Sequence, residues 1–541
     1  MATVIFNGEP VEGRLGESLF SVADRSAQGS YEIASSCQRS GACRECILQV
    51  NAGHHALSPP SPEEAFLQTD PEPGEPVFRL ACRARIIRAE ATIEVETFKR
   101  RLDIAVEGRP PSYRVEPWVE RRAGRVYADD RELARWDGPL YGLALDIGTT
   151  TVVLHVVDLL DGRTLFVRAF ENPQKYGGSD VMHRISFDRS HPGQLHRTLI
   201  AHLNQTLRSL PIDRTAVFAL AVAGNPTMRD LFFGLDVQSI GQSPYLSQTQ
   251  ADVIAGRRQS TSVRTQAGEL KLAINPAACV YGLPLVSHHV GADMAAVLVT
   301  LPPEPSDAPF MVIDMGTNTE VAVGNRHRII CASCPAGPAF EGGRLACGMA
   351  ACDGAISALR RENGGWRITT IGNAPPRGIC GSGLVDLLAE LRAGGAMDEM
   401  GRFCNGDSRI VISPRPPVYL TSREAAELAQ AKAANALGQK VLLRRLGLTV
   451  SEIATYYLAG AFANKIDLAN AQRIGLLLPV PQERIVRIGN ASIEGAKAVL
   501  LSRTMRDRVE ALVRSIEHVE LEREPDFFDL FAELTSFAPI S

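Results

Sequence analysis

The stretch YGLALDIGTTTVVLHVVDL, Tyr141 to Leu159, decides the reading of this chain. An apolar run enters Asp146, Gly148 permits a tight turn, Thr149–Thr151 follow, and a second apolar run leaves toward Asp158. Hydroxyls and amides in such a turn can face a phosphate. The figure recurs in FMVIDMGTNTEVAVG, Phe310 to Gly324, with Asp314, Gly316, Thr317 and Asn318 in the corresponding places. One Asp-x-Gly-Thr is a weak signal. Two, each between apolar strands and far apart, are a fairly strong one: an internal repeat of one functional element. Two acidic residues brought face to face can hold Mg²⁺ and its waters on phosphates, which makes Asp146 and Asp314 candidates for that role. The chain has no G-x4-G-K-[ST], so the phosphate site is not a P-loop.

Further stretches extend the pattern. GNAPPRGICGSGLVDLLAEL places Gly378, Gly381, Ser382 and Gly383 at a helix start suited to a nucleotide. YYLAGAFAN ends a strand at Gly460, and RIGNASIEGAKAVLL sets Gly489 and Asn490 before another helix. Thr421 and Glu424 have the spacing of a capping box, opening a helix that carries Lys432. That lysine either approaches a bound nucleotide or lies on a solvated face.

The other informative stretch is CQRSGACRECILQV, Cys37 to Val50. Cys37, Cys43, Cys46 and Cys82 have the spacing C-x5-C-x2-C-x35-C. Plant-type 2Fe–2S ferredoxins use C-x4-C-x2-C and a distant fourth cysteine. The longer first gap resembles that of adrenodoxin-like ferredoxins. Small residues at Ser40, Gly41 and Ala42 let backbone N–H groups approach the sulfurs. Zinc is the competing ligand, but zinc sites usually pair two knuckles, and Cys82 stands alone. The flanks predict strands over Thr3–Asn7, Pro10–Leu15, Ile47–Val50, Val77–Leu80 and Ala91–Glu96, and a short helix over Ser18–Arg25. That is a β-grasp outline. A second C-x2-C, Cys331 and Cys334, is weighed as a metal site against plain buried thiols. The pairs His54–His55 and His288–His289 are read as surface or packing residues.

The whole chain has 541 residues and a net charge of −4, with 57 basic and 61 acidic residues. This balance argues against a dominant nucleic-acid role. The start, MATVIFNGEP, lacks a basic region and an apolar run, and no long uncharged apolar stretch follows. A cytoplasmic protein with no membrane partner is expected. Clustered cysteines in that compartment suggest metal or redox chemistry. Phe98–Pro139 is arginine-rich with a Pro-Pro pair and reads as a connector with some local structure, either a mobile arm or a passive tether. The expected organisation is multidomain, α+β and α/β: a β-grasp 2Fe–2S ferredoxin domain over 1–97, a linker over 98–140, and a two-lobed actin-like (ribonuclease-H-like) ATPase over 141–541. Its lobes divide at about 305/306.

The two phosphate turns resemble those of the actin, sugar-kinase and heat-shock-chaperone ATPases. Taken in order, the ferredoxin cysteines, LALDIGTTTV, AVAGNPTM, VIDMGTNTE, AGPAFEGG, GICGSGLVDLLAEL, LAGAFAN and GNASIEGAK resemble the ATP-dependent reductive activators of corrinoid-dependent enzymes. That resemblance implies one-electron reduction of a corrinoid protein of a methyltransferase system from Co(II) to Co(I). The cofactors would be a 2Fe–2S cluster, ATP and Mg²⁺, with an upstream electron donor as a second partner. It implies that Gly148, Thr149 and Thr150 form the first phosphate loop and Gly316, Thr317 and Asn318 the second. Asp180 and Glu320 are candidates to orient the attacking water, with helix capping or lobe packing as their alternatives. Ser333 and its neighbours in CASCPAGPAFEGG either meet the corrinoid partner or form a plain connection. Two departures stand out. Relatives carry an extra middle domain, which the short 98–140 segment suggests is absent or reduced, leaving a homodimer open. No cysteine follows Cys404, which excludes the branch with C-terminal 4Fe–4S ligands. The alternatives are a kinase or ATP-dependent hydrolase with an appended ferredoxin, a nucleotide-binding redox sensor, or a radical-dehydratase activator.

Overall fold

The computed structural model describes residues 1–25, 33–67, 76–98, 106–302, 307–343, 345–362, 364–460 and 462–540. Each Asp-x-Gly stretch opens a sheet of the same plan. In the first, Tyr141–Ile147 pairs antiparallel with Thr151–Asp158, which pairs with Thr164–Glu171. Val217–Gly224 then adds parallel to the opening strand, Cys279–Gly282 parallel to that, and Val263–Gln266 closes the edge. In the second, Phe310–Met315, Thr319–Gly324 and Ile329–Cys334 form the meander, and Thr455–Ala459 and Ile485–Gly489 add in parallel on the other side of the opening strand. Parallel strands buried on both faces read as continuous apolar runs; all eight residues of Val217–Gly224 are buried.

The two lobes are knit by the chain's return. Helix Ala491–Leu501 packs on the first sheet: Ile493, Ala496, Val499 and Leu500 share a core with Ala144, Val153 and Phe218. The 305/306 boundary read from the sequence therefore does not separate the packing units. A helix hydrophobic nearly all round signals burial without saying against which sheet.

The N-terminal sheet has the order Glu9–Gly13, Ala2–Phe6, Thr92–Glu96, Ile47–Ala52, Val77–Leu80. Ala2, Val4 and Phe6 point inward and Thr3 outward, as period-two alternation requires. Ser18 caps helix Leu19–Asp24 by accepting from the Ser21 amide. The module packs on the first lobe. Tyr176 sits edge-on to both Phe66 and Phe78, and the Phe98 carbonyl accepts from the Glu171 amide.

The local structure of the connector is a small sheet. Residues 99–105 lie outside the described part. Beyond them Val119–Arg122, Arg125–Ala128 and Arg131–Arg135 form an antiparallel sheet. Trp118, Val119 and Val126 are buried in the first lobe's core, and Asp129 binds Arg506. Turns at Ala123-Gly124 and Asp129-Asp130 produce these short strands, and the dense charges hid the alternation. No helix among the described residues is long and apolar enough to cross a membrane.

Candidate functional site: the interlobe cleft and the cysteine loop

Both Asp-x-Gly turns face the cleft between the sheets. In the first, the Gly148 amide donates to the Thr151 carbonyl at 2.9 Å. A Cβ on Gly148 would lie 2.8 Å from that oxygen. Three side chains hold this turn from behind. Asn172 donates to the Gly148 carbonyl at 2.8 Å, Asn225 to Thr149 Oγ1 at 3.1 Å, and Arg184 to the Thr149 carbonyl at 2.7 Å. In the second, the Gly316 amide donates to the Asn318 carbonyl at 3.2 Å. The turns meet: Thr150 Oγ1 and Thr317 Oγ1 are 3.0 Å apart. Both also reach one carboxylate oxygen, Glu341 Oε2, at 2.7 and 2.6 Å.

Behind the turns lie four carboxylates that sense one another. Asp146 accepts from Asn490 at 3.1 Å and Ser492 at 2.8 Å. Asp314 stands directly across the strand pair from Glu320. Glu320 accepts from Ser333 at 3.3 Å, which turns that serine into the carboxylate group. Asp293, in the first turn of helix Ala292–Thr300, completes the set. Burial, then the charges of Asp293 and Asp146, pushes Asp314 up to about 8. Burial also pushes Asp293 up to about 7, with Asp146 adding to the rise, and raises Asp146 and Glu320. Among the described residues no lysine or arginine pairs with any of the four. Like charges this close in low dielectric require protons or a cation. Mg²⁺ suits oxygen donors of this kind and keeps its own waters.

The remaining cleft candidates are distributed around this centre. Asn490 caps helix Ala491–Leu501, and Gly489 before it has φ +63. Gly460 has φ +98, and a Cβ there would meet the Met315 carbonyl at 2.5 Å and Asp314 Oδ1 at 3.1 Å. Gly381 and Gly383 serve close packing: Cβ atoms would lie 2.1 Å from the Phe340 carbonyl and 2.3 Å from the Ile356 carbonyl. Ser382 donates to the Ser357 carbonyl at 2.7 Å. Asp180 caps helix Val181–Ser190 and binds His183 at 2.7 Å. The capping box of Thr421 and Glu424 is formed. Lys432 is buried, its ammonium donates to the Ser536 carbonyl at 2.5 Å, and desolvation lowers it to about 8. The sequence reading missed Asp293 and Glu341. Asp293 hides in an alanine-rich helix start, and its signal is the lone acid after Gly291. Glu341 lies in AGPAFEGG, where a single acid interrupts a run of turn-forming residues.

The four thiols stand in two separate pairs, and among the described residues no three metal-ligating side chains come together. Cys46 and Cys82 are buried with sulfurs 3.4 Å apart. Cys37 and Cys43 form the second pair, half-exposed. Burial raises Cys37, but the Ser40 hydroxyl, the Cys43 amide and thiol and the Gly41 amide outweigh it and bring it down to about 6. Gln38, Arg39, Gly41 and Arg44 all have positive φ, which turns amides inward. Gly41, at φ +83, takes the left-handed conformation that favours glycine. The other weighed pair, Cys331 and Cys334, does not converge. Both are buried on one strand, and they belong to different cores on its two sides.

Two sheets that share one order over five strands and carry a sixth on opposite edges, with acidic turns facing across a cleft, define an actin-like, sugar-kinase-like ATPase fold. The family profile described as the C-terminal domain of RACo, the ASKHA domain, matches residues 308–539, and that of the RACo middle region matches 141–302. The middle region is therefore present, as the segment read from the sequence as the first lobe. The corrinoid activation enzyme RamQ of Eubacterium limosum is 34% identical over 430 residues, covering 74% of this chain and 70% of that protein. The [Co(II) methylated amine-specific corrinoid protein] reductase of Methanosarcina barkeri is 25% identical over 433 residues, covering 72% and 76%. A solved reductive activator for a corrinoid, iron-sulfur protein superposes with a TM-score of 0.70 at 25% identity, covering 100% of this chain and 99% of that one. The chain belongs to the family of reductive activators of corrinoid proteins.

Proposed function

We propose that this protein carries out the ATP-dependent one-electron reduction of a corrinoid protein of a methyltransferase system, from Co(II) to Co(I). The observation that carries the reading is the presence, on one chain of this family, of a paired four-thiol loop and a two-lobed cleft lined with carboxylates and hydroxyls. Cys37, Cys43, Cys46 and Cys82 would hold a 2Fe–2S cluster. Two pairs of thiols suit two irons, and inward amides favour thiolates. Such a cluster, when bound, supplies single electrons at low potential. Thr149, Thr150, Thr317 and Asn318 would bind the phosphates of ATP, with Asp146 and Asp314 positioning Mg²⁺ through water. The N-terminal module is then a ferredoxin-type β-grasp domain, as its strand order supports. ATP is needed because Co(II)/Co(I) lies below ordinary cluster potentials. A coupling of roughly 5 kcal/mol displaces a one-electron balance by about 200 mV.

The test is anaerobic. The reduced protein is mixed with a Co(II) corrinoid protein, and the Co(I) spectrum is followed with and without ATP. Rapid ATP-dependent Co(I) formation is expected, and Cys46→Ala should abolish it while leaving ATP binding intact. No Co(I) despite an intact cluster and bound ATP would return the kinase and sensor readings to the front.

A further inference from the structure

Among the described residues, Glu341 is the one cleft carboxylate that touches both phosphate turns. We propose that it orients and deprotonates the attacking water in ATP hydrolysis by this chain, an assignment that rests on the cleft being an ATP site. Its Oε2 accepts from the hydroxyls of Thr150 and Thr317, one from each lobe. A terminal phosphate gripped by these two turns must lie within reach of the same hydroxyls, and so beside Glu341. The other acids are otherwise engaged. Asp180 caps a helix, Glu320 is buried against Ser333, and Asp146 is held by Asn490 and Ser492. Asp293 accepts from the Met294 amide, and Asp314 shares its field with Asp146 and Asp293, where a cation is needed.

The backbone under Glu341 is fixed, as a positioned base requires. Its amide donates to the Pro338 carbonyl at 2.9 Å. The neighbouring Phe340 stacks on Phe462 with ring centres 5.8 Å apart. Gly342, at φ +82, lies so close to Met349 that a Cβ would meet its amide at 2.3 Å. In the step itself, the water oxygen forms a bond to the γ-phosphorus. The bond from that phosphorus to the bridging oxygen breaks, and its electron pair stays on ADP. The water proton passes to the Glu341 carboxylate and from there to solvent, so ATP and water become ADP and inorganic phosphate.

The full-length protein with Mg²⁺ and ATP tests this. Nucleotide affinity is read by equilibrium dialysis and hydrolysis by single-turnover phosphate release. Glu341→Gln should bind ATP within about threefold of wild type and hydrolyse it on the order of 100-fold more slowly, the range for loss of a general base. Glu341→Asp, which keeps the carboxylate on a shorter arm, should recover part of the rate where the amide does not. Hydrolysis by Glu341→Gln within threefold of wild type overturns the assignment. So does parallel loss of binding and hydrolysis in both variants, which would make Glu341 a structural tie. A wild-type protein that neither binds nor hydrolyses ATP overturns the underlying reading instead, and this inference with it.

Discussion

Replacing Asp314 by Asn should stabilise the nucleotide-free protein near neutral pH while removing its response to Mg²⁺. Asp314 is held at about 8, against an ordinary value of 3.8. The folded protein therefore keeps a proton that the unfolded chain releases. Between those two values each unit of rising pH costs about 1.4 kcal/mol of stability. From pH 5 to 7 this one carboxyl withdraws about 2.7 kcal/mol if wholly shielded. The side chain lines a cleft open to water, so about half, ~1.4 kcal/mol, is the working figure. Spread over a cooperative unit of roughly 200 residues, that is about 3 °C in Tm. The sign is fixed by the raised value: the stability is present at low pH and lost as pH climbs from about 4 toward 8. Differential scanning calorimetry at pH 5 and 7, without and with Mg²⁺ and ATP, reads it. The variant should melt about 3 °C closer to its own pH 5 value at pH 7 than wild type does. It should also lose most of the stabilisation by Mg²⁺ and ATP. If the difference between the two proteins does not change from pH 5 to 7, burial and the neighbouring carboxylates do not hold Asp314 protonated.

Two further substitutions probe the supports of each half. Gly381→Ala puts a Cβ 2.1 Å from the Phe340 carbonyl and 2.5 Å from the Phe462 ring. Overpacking of this kind costs about 1–3 kcal/mol, and because it pushes on the segment bearing Glu341, hydrolysis should fall before ATP affinity does. An unchanged melting temperature together with an unchanged rate would disprove the tight fit. In the N-terminal module, Glu64 and Arg79 form a buried pair at 2.8 Å, with side chains 1% and 4% exposed. Glu64 also accepts from the amides of Ser61 and Leu80. Glu64→Gln strands a buried guanidinium and should cost about 3–5 kcal/mol, read as earlier loss of the visible absorption of a bound cluster on heating. Bleaching at the wild-type temperature would mean that the pair contributes little.

The paired Asp-x-Gly turns were legible because the motif is local: a strand, a tight turn and a strand fit in one short window. The same holds for the cysteine loop and for the strands Ile47–Ala52 and Val77–Leu80, which the alternation located within two residues. Legibility failed where a residue's meaning depends on a distant partner. Asp293 acquires its role only because its helix start points at Asp146, and Glu341 only because two turns from separate sheets converge on it. The connector's place was not legible for the same reason: it is tied down by Glu120 with Arg503 and Asp129 with Arg506, partners that lie far along the chain. Asp180 shows the converse, since the structure places it as a cap, a local role that its neighbours Val181–His183 already allowed.

The arrangement also constrains how the two halves can influence each other. Asn172 donates to the Gly148 carbonyl, its amide donates to the Thr150 carbonyl, and it begins the short turn Pro173–Gly177. That turn carries Tyr176, which packs against Phe66 and Phe78 of the N-terminal module. Gln194, whose carbonyl lies by the Tyr176 hydroxyl, donates to the Arg44 carbonyl within the cysteine loop at 3.4 Å. From the first phosphate turn to the cysteines, then, the path runs through packed side chains of one lobe. The opposite edge of the same module borders the other lobe. Ile5, Gly8, Glu94, Glu96 and Arg377 line an open cavity of about 290 Å³. A module seated on both lobes cannot keep both contacts if the lobes rotate about the cleft. The tight, aromatic contact is the one to the first lobe, and the open cavity faces the second. Lobe closure would therefore be taken up at Arg377, and the cysteine loop would travel with the turn that holds Thr150.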